Sequence, residues 1–155
     1  MKGNSTIIDT LNKLLIAEQT AYVQYRFSGT WNKIYGYNEL AEMFFERARD
    51  EKKHHNLLMS RLLLLEGLPV IDTVDNPKQA VDIRTQFDND LQLELIAVQD
   101  YNNAIAEMIT QGDHATRKIL DHILEEESTH IEEIEAIIKK IDDMGVQGFL
   151  QSFGK

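Results

Sequence analysis

Apolar residues recur at helical spacing along most of the chain, and the residues that interrupt them predict where each helix stops. Between Ser5 and Tyr35, Ile8, Leu11, Leu14, Leu15, Ala21, Tyr22 and Tyr25 form one stripe. Ser5 or Thr6 is expected to cap this helix, Asp9 suits its first turn, and Gly36 ends it. Asn38 is expected to cap a second helix that runs to about Glu66, where Gly67 and Pro69 stop it. A third helix is predicted from near Asp82 to Gln111, before Gly112, and a fourth from about Ala115 to Asp143, before Gly145. The tail VQGFLQSFGK has room for one short helical turn. No stretch alternates like a strand, and no domain boundary interrupts residues 1–155.

Loop lengths set the topology. The links at Gly36 and Gly112 are short, so each joins an antiparallel pair. The segment from Gly67 to Val81 carries both prolines and no helical stripe. Its 15 residues reach about 50 Å at 3.3 Å per residue, whereas a helix of about 28 residues is about 42 Å long. The link can cross the whole molecule and make the second and third helices parallel. The expected fold is all-α, a four-helix bundle with one long crossover and a short fifth C-terminal helix.

The chain compared with itself at a shift of 76 residues aligns Leu15 with Leu91, Glu18 with Glu94, Ala21 with Ala97 and Tyr25 with Tyr101. The same register aligns Gly36 with Gly112, Glu51 with Glu127 and His54 with His130. One helical hairpin is used twice, with an implied pseudo-two-fold axis. Glu51-Lys52-Lys53-His54 and Glu127-Ser128-Thr129-His130 are both Glu-x-x-His, with the two end residues on one helix face. A single Glu on each of two helices, with Glu-x-x-His on the other two, is the ligand set of di-metal carboxylate bundles. Glu18 precedes Gly36 by 18 residues, about 27 Å, and Glu51 follows it by 15, about 22 Å, so antiparallel packing brings them to nearly one level.

All four carboxylates lie on apolar stripes. Burying them without partners is very unfavourable, and two divalent cations would balance four negative charges. Taken singly, a Glu-x-x-His or the run Glu125-Glu126-Glu127 reads as a solvated helix face. His55, His114 and His122 have no matched partners and read as surface residues. Six matched side chains in one register read as a metal site. Mixed carboxylate and imidazole donors suit Fe, Mn or Zn better than Mg or Ca. Tyr25, seven residues after Glu18 and on nearly the same face, can hydrogen-bond a ligand carboxylate or donate an electron. Tyr101 reads as a core phenol with its hydroxyl satisfied.

Composition narrows the choice. The chain has 16 Lys and Arg against 26 Asp and Glu, a net charge of −10, and no Cys. Disulfides and zinc-thiolate sites are excluded, and so acidic a chain is a poor partner for nucleic acid or an anionic membrane surface. The longest aliphatic run, Leu62 to Leu65, is far too short to span a bilayer. The opening MKGNSTIIDT has no secretory signal pattern, so a cytoplasmic location is expected.

At this point the sequence resembles the bacterioferritin family over essentially its whole length. The resemblance rests on the opening MKG, on LNKLLIAEQTAYVQY, on RLLLLEGLP, on the two Glu-x-x-His sites and on MGVQGFLQSF near the end. It implies a ferritin-like bundle that assembles into a hollow homo-oligomer shell of twenty-four subunits. It also implies Fe(II) oxidation, a ferroxidase activity, at a di-iron site within each subunit, and storage of ferric mineral inside the shell. Carried over by position, the iron ligands are Glu18, Glu51, His54, Glu94, Glu127 and His130. Tyr25 matches the family's redox-active tyrosine. Asp50 matches an acidic residue of an inner-surface iron site whose usual histidine companion is here Glu46. Glu133 stands where some members carry an aromatic residue.

The family binds haem b between two subunits through a Met that follows the first Glu of Glu-x-x-His; here that position is Lys52. A lysine ammonium is no haem ligand unless deprotonated. Either the subunit lacks haem, or it co-assembles with a haem-binding sister subunit. A ferredoxin-type reductant is a possible partner for iron release. Two other readings stay open: a stand-alone di-iron oxidase or peroxidase of rubrerythrin type, against which the absence of Cys counts, and a non-enzymatic helical shell or partner protein. Oxygen and peroxide both fit as the oxidant.

Overall fold

The computed structural model describes residues 2–153. Met1, Gly154 and Lys155, the last two part of the predicted tail, lie outside the described residues. Helices α1 (Ser5–Ile34), α2 (Asn38–Leu64), α3 (Ile83–Gln111) and α4 (His114–Ser152) make up the chain in that order. α1 pairs with α2 and α3 with α4, and the two hairpins meet along α1–α3 and α2–α4. Among the described residues there is no strand, and no helix is long and apolar enough to cross a membrane.

The helix ends follow local chemistry. Asn4, not Ser5 or Thr6, caps α1, its side chain accepting the Thr6 N–H at 2.9 Å. Ser5 is already helical, so its hydroxyl is no longer placed to cap. Asn38 is likewise the first helical residue of α2 and not its cap. Tyr37 holds the cap position through its carbonyl, which accepts the Ala41 N–H, with no side-chain bond. α2 ends at Leu64, two residues before the predicted Glu66, which has left the helix at φ 61°. Asp82 and Asp113 cap α3 and α4 by accepting the N–H groups of Thr85 and Thr116. Gly112 closes α3 in the left-handed conformation at φ 70°, where a side chain would be strained. Gly145 breaks α4 at φ 72° and ψ 164°, and residues 146–152 form the short C-terminal helix beyond it.

The core is split into two. At one end Leu11, Leu14 and Leu15 pack with Leu58, Leu62, Met108, Leu120 and Ile123. At the other, Ala21 and Tyr25 pack with Phe44, Phe87, Ile134, Ile141 and Phe149. Phe87 stacks on Phe44 and meets Phe149 edge-on, which docks the C-terminal helix on the bundle. On every helix the residues of one core precede a buried glutamate and those of the other follow it: Glu18, Glu51, Glu94 and Glu127 form a polar layer between them. In α1 the buried apolar residue at the start is Ile7; Ile8, placed on the stripe by periodicity, is half-buried beside Gly67.

The connector between α2 and α3 runs parallel to α1 and is held by α1 side chains. Asn12 Nδ2 donates to the Leu68 carbonyl at 3.1 Å and its Oδ1 accepts the Val70 N–H at 2.9 Å. Gln19 donates to Ile71, Thr20 accepts from the Asp75 N–H, and Gln24 accepts from the Lys78 N–H. A segment without internal ladders thus finds partners for several of its backbone groups. Gln24 also donates to Asp90 at 2.7 Å, and Asn32 to Gln86 at 2.8 Å, so a buried polar seam joins α1 to α3.

The substitution Asn12→Ala removes two of these bonds. It is expected to destabilise the fold by about 1–2 kcal/mol, lowering the melting temperature by a few degrees and speeding proteolysis within the connector. Unchanged melting and protease resistance would show that the connector is held elsewhere.

Candidate metal centre

Each helix delivers one carboxylate to the layer between the two cores. The two Glu-x-x-His helices also deliver an imidazole. Glu18, Glu51, His54 and Glu127 form one group and Glu51, Glu94, Glu127 and His130 a second. All of these residues are buried, and within each group one donor atom per residue lies within 4.8 Å of the others. Glu51 and Glu127 belong to both groups. Glu18 and His54 belong to the first alone, and Glu94 and His130 to the second alone. The six side chains predicted from the 76-residue echo therefore meet in one place.

Both imidazoles turn Nδ1 inward. His54 Nδ1 lies 2.9 Å from Glu127, 3.5 Å from Glu51 and 3.6 Å from Glu18. His130 Nδ1 lies 3.0 Å from Glu127, 3.3 Å from Glu51 and 3.4 Å from Glu94. The rings face each other with centroids 6.0 Å apart. Buried atoms Glu51 Oε1, Glu94 Oε2 and His54 Nδ1 make no hydrogen bond. His54 Nδ1 is near Glu127 without pointing at it. Buried donor and acceptor atoms without partners are rare, and these three are in the set that a metal would use. Two four-donor O/N groups sharing two carboxylates fit a pair of divalent first-row cations.

Electrostatics give the same answer. Burial and the Glu127 charge push Glu18 and Glu51 above the usual carboxylate range and Glu94 up to about 8. Burial would push Glu127 up as well, but the hydrogen bond from His130 and the positive charge of nearby His54 hold it below the ordinary value. Burial opposes charge on the imidazoles too, yet the surrounding carboxylates raise His54 far above its ordinary value and His130 to about 11. Without metal, the cluster therefore holds protons in its place.

The pseudo-two-fold axis extends to groups around the centre. The Tyr25 hydroxyl donates to Glu94 and the Tyr101 hydroxyl to Glu18, so each tyrosine reaches across from α1 to α3 or back. Tyr101 is the satisfied core phenol that was expected, but its acceptor is one of the six site carboxylates. Glu126, taken for part of a solvated run, accepts from His54 Nε2 at 2.6 Å. Asp50 occupies the matching place beside His130, with Oδ2 3.6 Å from Nε2, and lies outside both four-donor groups. The sequence carried the signal, since 50 + 76 = 126 extends the echo by one position.

His130 also lines a cleft of about 570 Å³ between α2 and α4, together with Glu46, Arg47, Asp50, Glu126 and Glu133. Glu133 pairs with the mostly buried Arg47 at 2.6 Å across that cleft. Lys52 is exposed, as are His114 and His122. His55 is not the surface residue expected from sequence. It is half-buried, with a buried Nε2 that lacks a hydrogen-bond partner.

Comparisons with known proteins agree with this architecture. The family model for the ferritin-like domain matches residues 8–144. A "Bacterial ferritin" of Paramagnetospirillum magnetotacticum is 33% identical over 156 residues, covering 98% of this chain and 94% of the relative. A "Bacterioferritin" of Mycolicibacterium paratuberculosis is 29% identical, covering 95% and 92%. One of Streptomyces coelicolor is 28% identical, covering 98% and 91%. A bundle with one long crossover, two buried four-donor groups at its middle and near full-length likeness to these proteins identify the chain as a member of the ferritin family, of the bacterioferritin kind.

Proposed function

We propose that this chain is an iron-storage subunit whose buried centre is a ferroxidase. The observation that carries this reading is the pair of four-donor groups sharing Glu51 and Glu127. Fe(II) is the substrate. Glu18 and His54 hold one ion, Glu94 and His130 the other, and Glu51 and Glu127 lie where they touch both. Each Fe(II) gives one electron, so a filled centre delivers two to oxygen or peroxide. The protein contributes fixed donors, a charge balance that favours two divalent cations, and apolar cores that keep bulk water from both sides.

Tyr25 is proposed to act beside the centre. Burial and the Glu94 charge raise its pKa, which keeps the phenol protonated. Its proton already lies on a hydrogen bond to Glu94, so loss of an electron from the ring can be matched by transfer of that proton to the carboxylate. The ferric product leaves past His130 into the cleft where Asp50 stands, which suits Asp50 as an acidic way-station. The near full-length relatives named bacterioferritin support a hollow homo-oligomer shell of twenty-four subunits around the mineral. Lys52 offers an ammonium and no soft donor, so no step passes through haem. A sister subunit or a ferredoxin-type reductant would complete haem binding or iron release in the assembled particle.

Three outcomes test this reading. Anaerobic Fe(II) titration is expected to saturate near two ions per chain. Glu18→Ala should slow Fe(II) oxidation at least tenfold with the shell intact by size-exclusion chromatography. Tyr25→Phe should leave the two-ion stoichiometry unchanged but slow turnover. A small dimer that never forms a shell would instead favour a stand-alone oxidase.

Stability should depend on pH in a metal-sensitive way. Glu94 moves from 4.5 to about 8 on folding and His130 from 6.5 to about 11, so both bind protons more tightly when folded. Their contribution is complete below the unfolded values and is lost as pH rises through the folded ones. Glu127 works oppositely, but its window lies in acid. The melting temperature of the metal-free protein is expected to fall as pH rises from 4.5 towards about 11, most steeply between 6.5 and about 8 where both groups act, and Zn(II) should flatten that fall. A flat metal-free profile would contradict the assignment.

A further inference from the structure

The outer nitrogens of the two site imidazoles are treated differently. His54 Nε2 is 2.6 Å from Glu126 Oε2, a close hydrogen bond. His130 Nε2 is 3.6 Å from Asp50 Oδ2, beyond hydrogen-bond range. Glu126 and Asp50 each precede a carboxylate shared by the two donor groups, one repeat apart. The same device is thus built twice and closed once.

The open copy has a visible reason. Asp50 is engaged at 3.0 Å by the exposed Lys53 ammonium, a partner that competes with His130 for its carboxylate. Glu126 has the exposed His122 3.8 Å from its other oxygen and Lys53 within electrostatic reach, yet its hydrogen bond goes to His54. An ionised carboxylate accepts hydrogen bonds and donates none. A hydrogen bond to Glu126 keeps a proton of His54 on Nε2, so the proton that metal displaces is the one on Nδ1, whose lone pair then points among Glu18, Glu51 and Glu127. The His54 ring is fully buried and cannot turn without breaking that bond. His130 has no equivalent hold and borders the cleft.

We propose that Glu126 is a positioning residue that fixes the tautomer and orientation of His54, and that the Glu18–His54 half of the centre consequently fills before the Glu94–His130 half. Outer carboxylates on ligating histidines orient the ring and strengthen its basicity. The inference deepens the metal-centre reading and depends on it.

The test uses the intact, metal-free assembly, titrated anaerobically with Zn(II) by calorimetry and with Co(II) by visible absorption. The wild type should bind two ions per chain in two steps of unequal affinity. Glu126→Ala should weaken the tighter step about 10–100-fold and change the Co(II) spectrum of the first equivalent. Glu126→Gln keeps a carbonyl that accepts the same N–H and should stay within a few-fold of wild type. Asp50→Ala should leave the tighter step alone, and His54→Ala should abolish it. A merely structural Glu126 would not single out one step, nor be rescued by Gln. Equal affinities in the wild type, or an effect of Glu126→Ala on neither step or on the weaker one, would overturn the inference while leaving the centre standing. A wild-type chain that binds neither ion would overturn both.

Discussion

Four buried carboxylates within one layer are the constraint on which the rest of the molecule depends. Brought together without counter-charge, Glu18, Glu51, Glu94 and Glu127 would repel one another in a medium that stabilises charge poorly. Two inward-turned imidazoles supply part of the balance, and raised proton affinities supply more. Protons and divalent cations therefore compete for the same space. On the proposed function, that competition would let the subunit tolerate both an empty and a loaded centre. It also sets the direction of the exchange: metal enters as protons leave.

The fold is arranged around that layer. Two apolar cores sit above and below it, and each helix passes from one to the other through its glutamate. Because the hairpin is used twice, every feature near the middle recurs across a pseudo-two-fold axis. Tyr25 serves Glu94 as Tyr101 serves Glu18, and Glu126 stands to His54 as Asp50 stands to His130. The repeat makes the centre; small departures from it, such as Lys53 on Asp50, distinguish the surroundings of its two halves. The crossover contributes differently, by lying in a groove where Asn12, Gln19, Thr20 and Gln24 supply the hydrogen bonds that an extended segment lacks.

Much of this was legible in the sequence because it follows from spacing. Helix period, the lengths of three links and one internal register were enough to place the four helices and to bring six donors to one level. What was not legible depends on direction. Gln24, Asn32, Gln86 and Asp90 are polar, so periodicity assigns them outward, yet they pair with one another inside the α1–α3 contact. Burial lifts Asp90 to about 7 against the pull of Gln24, a state no hydropathy pattern encodes. Glu126 sat in a run of three glutamates and looked solvated, although one more step of the same repeat comparison pairs it with Asp50. Asn4 and Asn38 illustrate the residue-level uncertainty of caps, where several good cappers lie side by side and backbone geometry selects among them.

If cations of either kind neutralise the buried layer, arriving metal must displace protons. Proton release on Zn(II) binding tests it most directly, read with an indicator dye in weakly buffered solution near pH 7. Release should rise in step with metal and stop when two ions per chain are bound, because the protons held by His54, His130 and Glu94 are displaced. Saturable binding with no release of protons, or release that continues well past two ions, would contradict it.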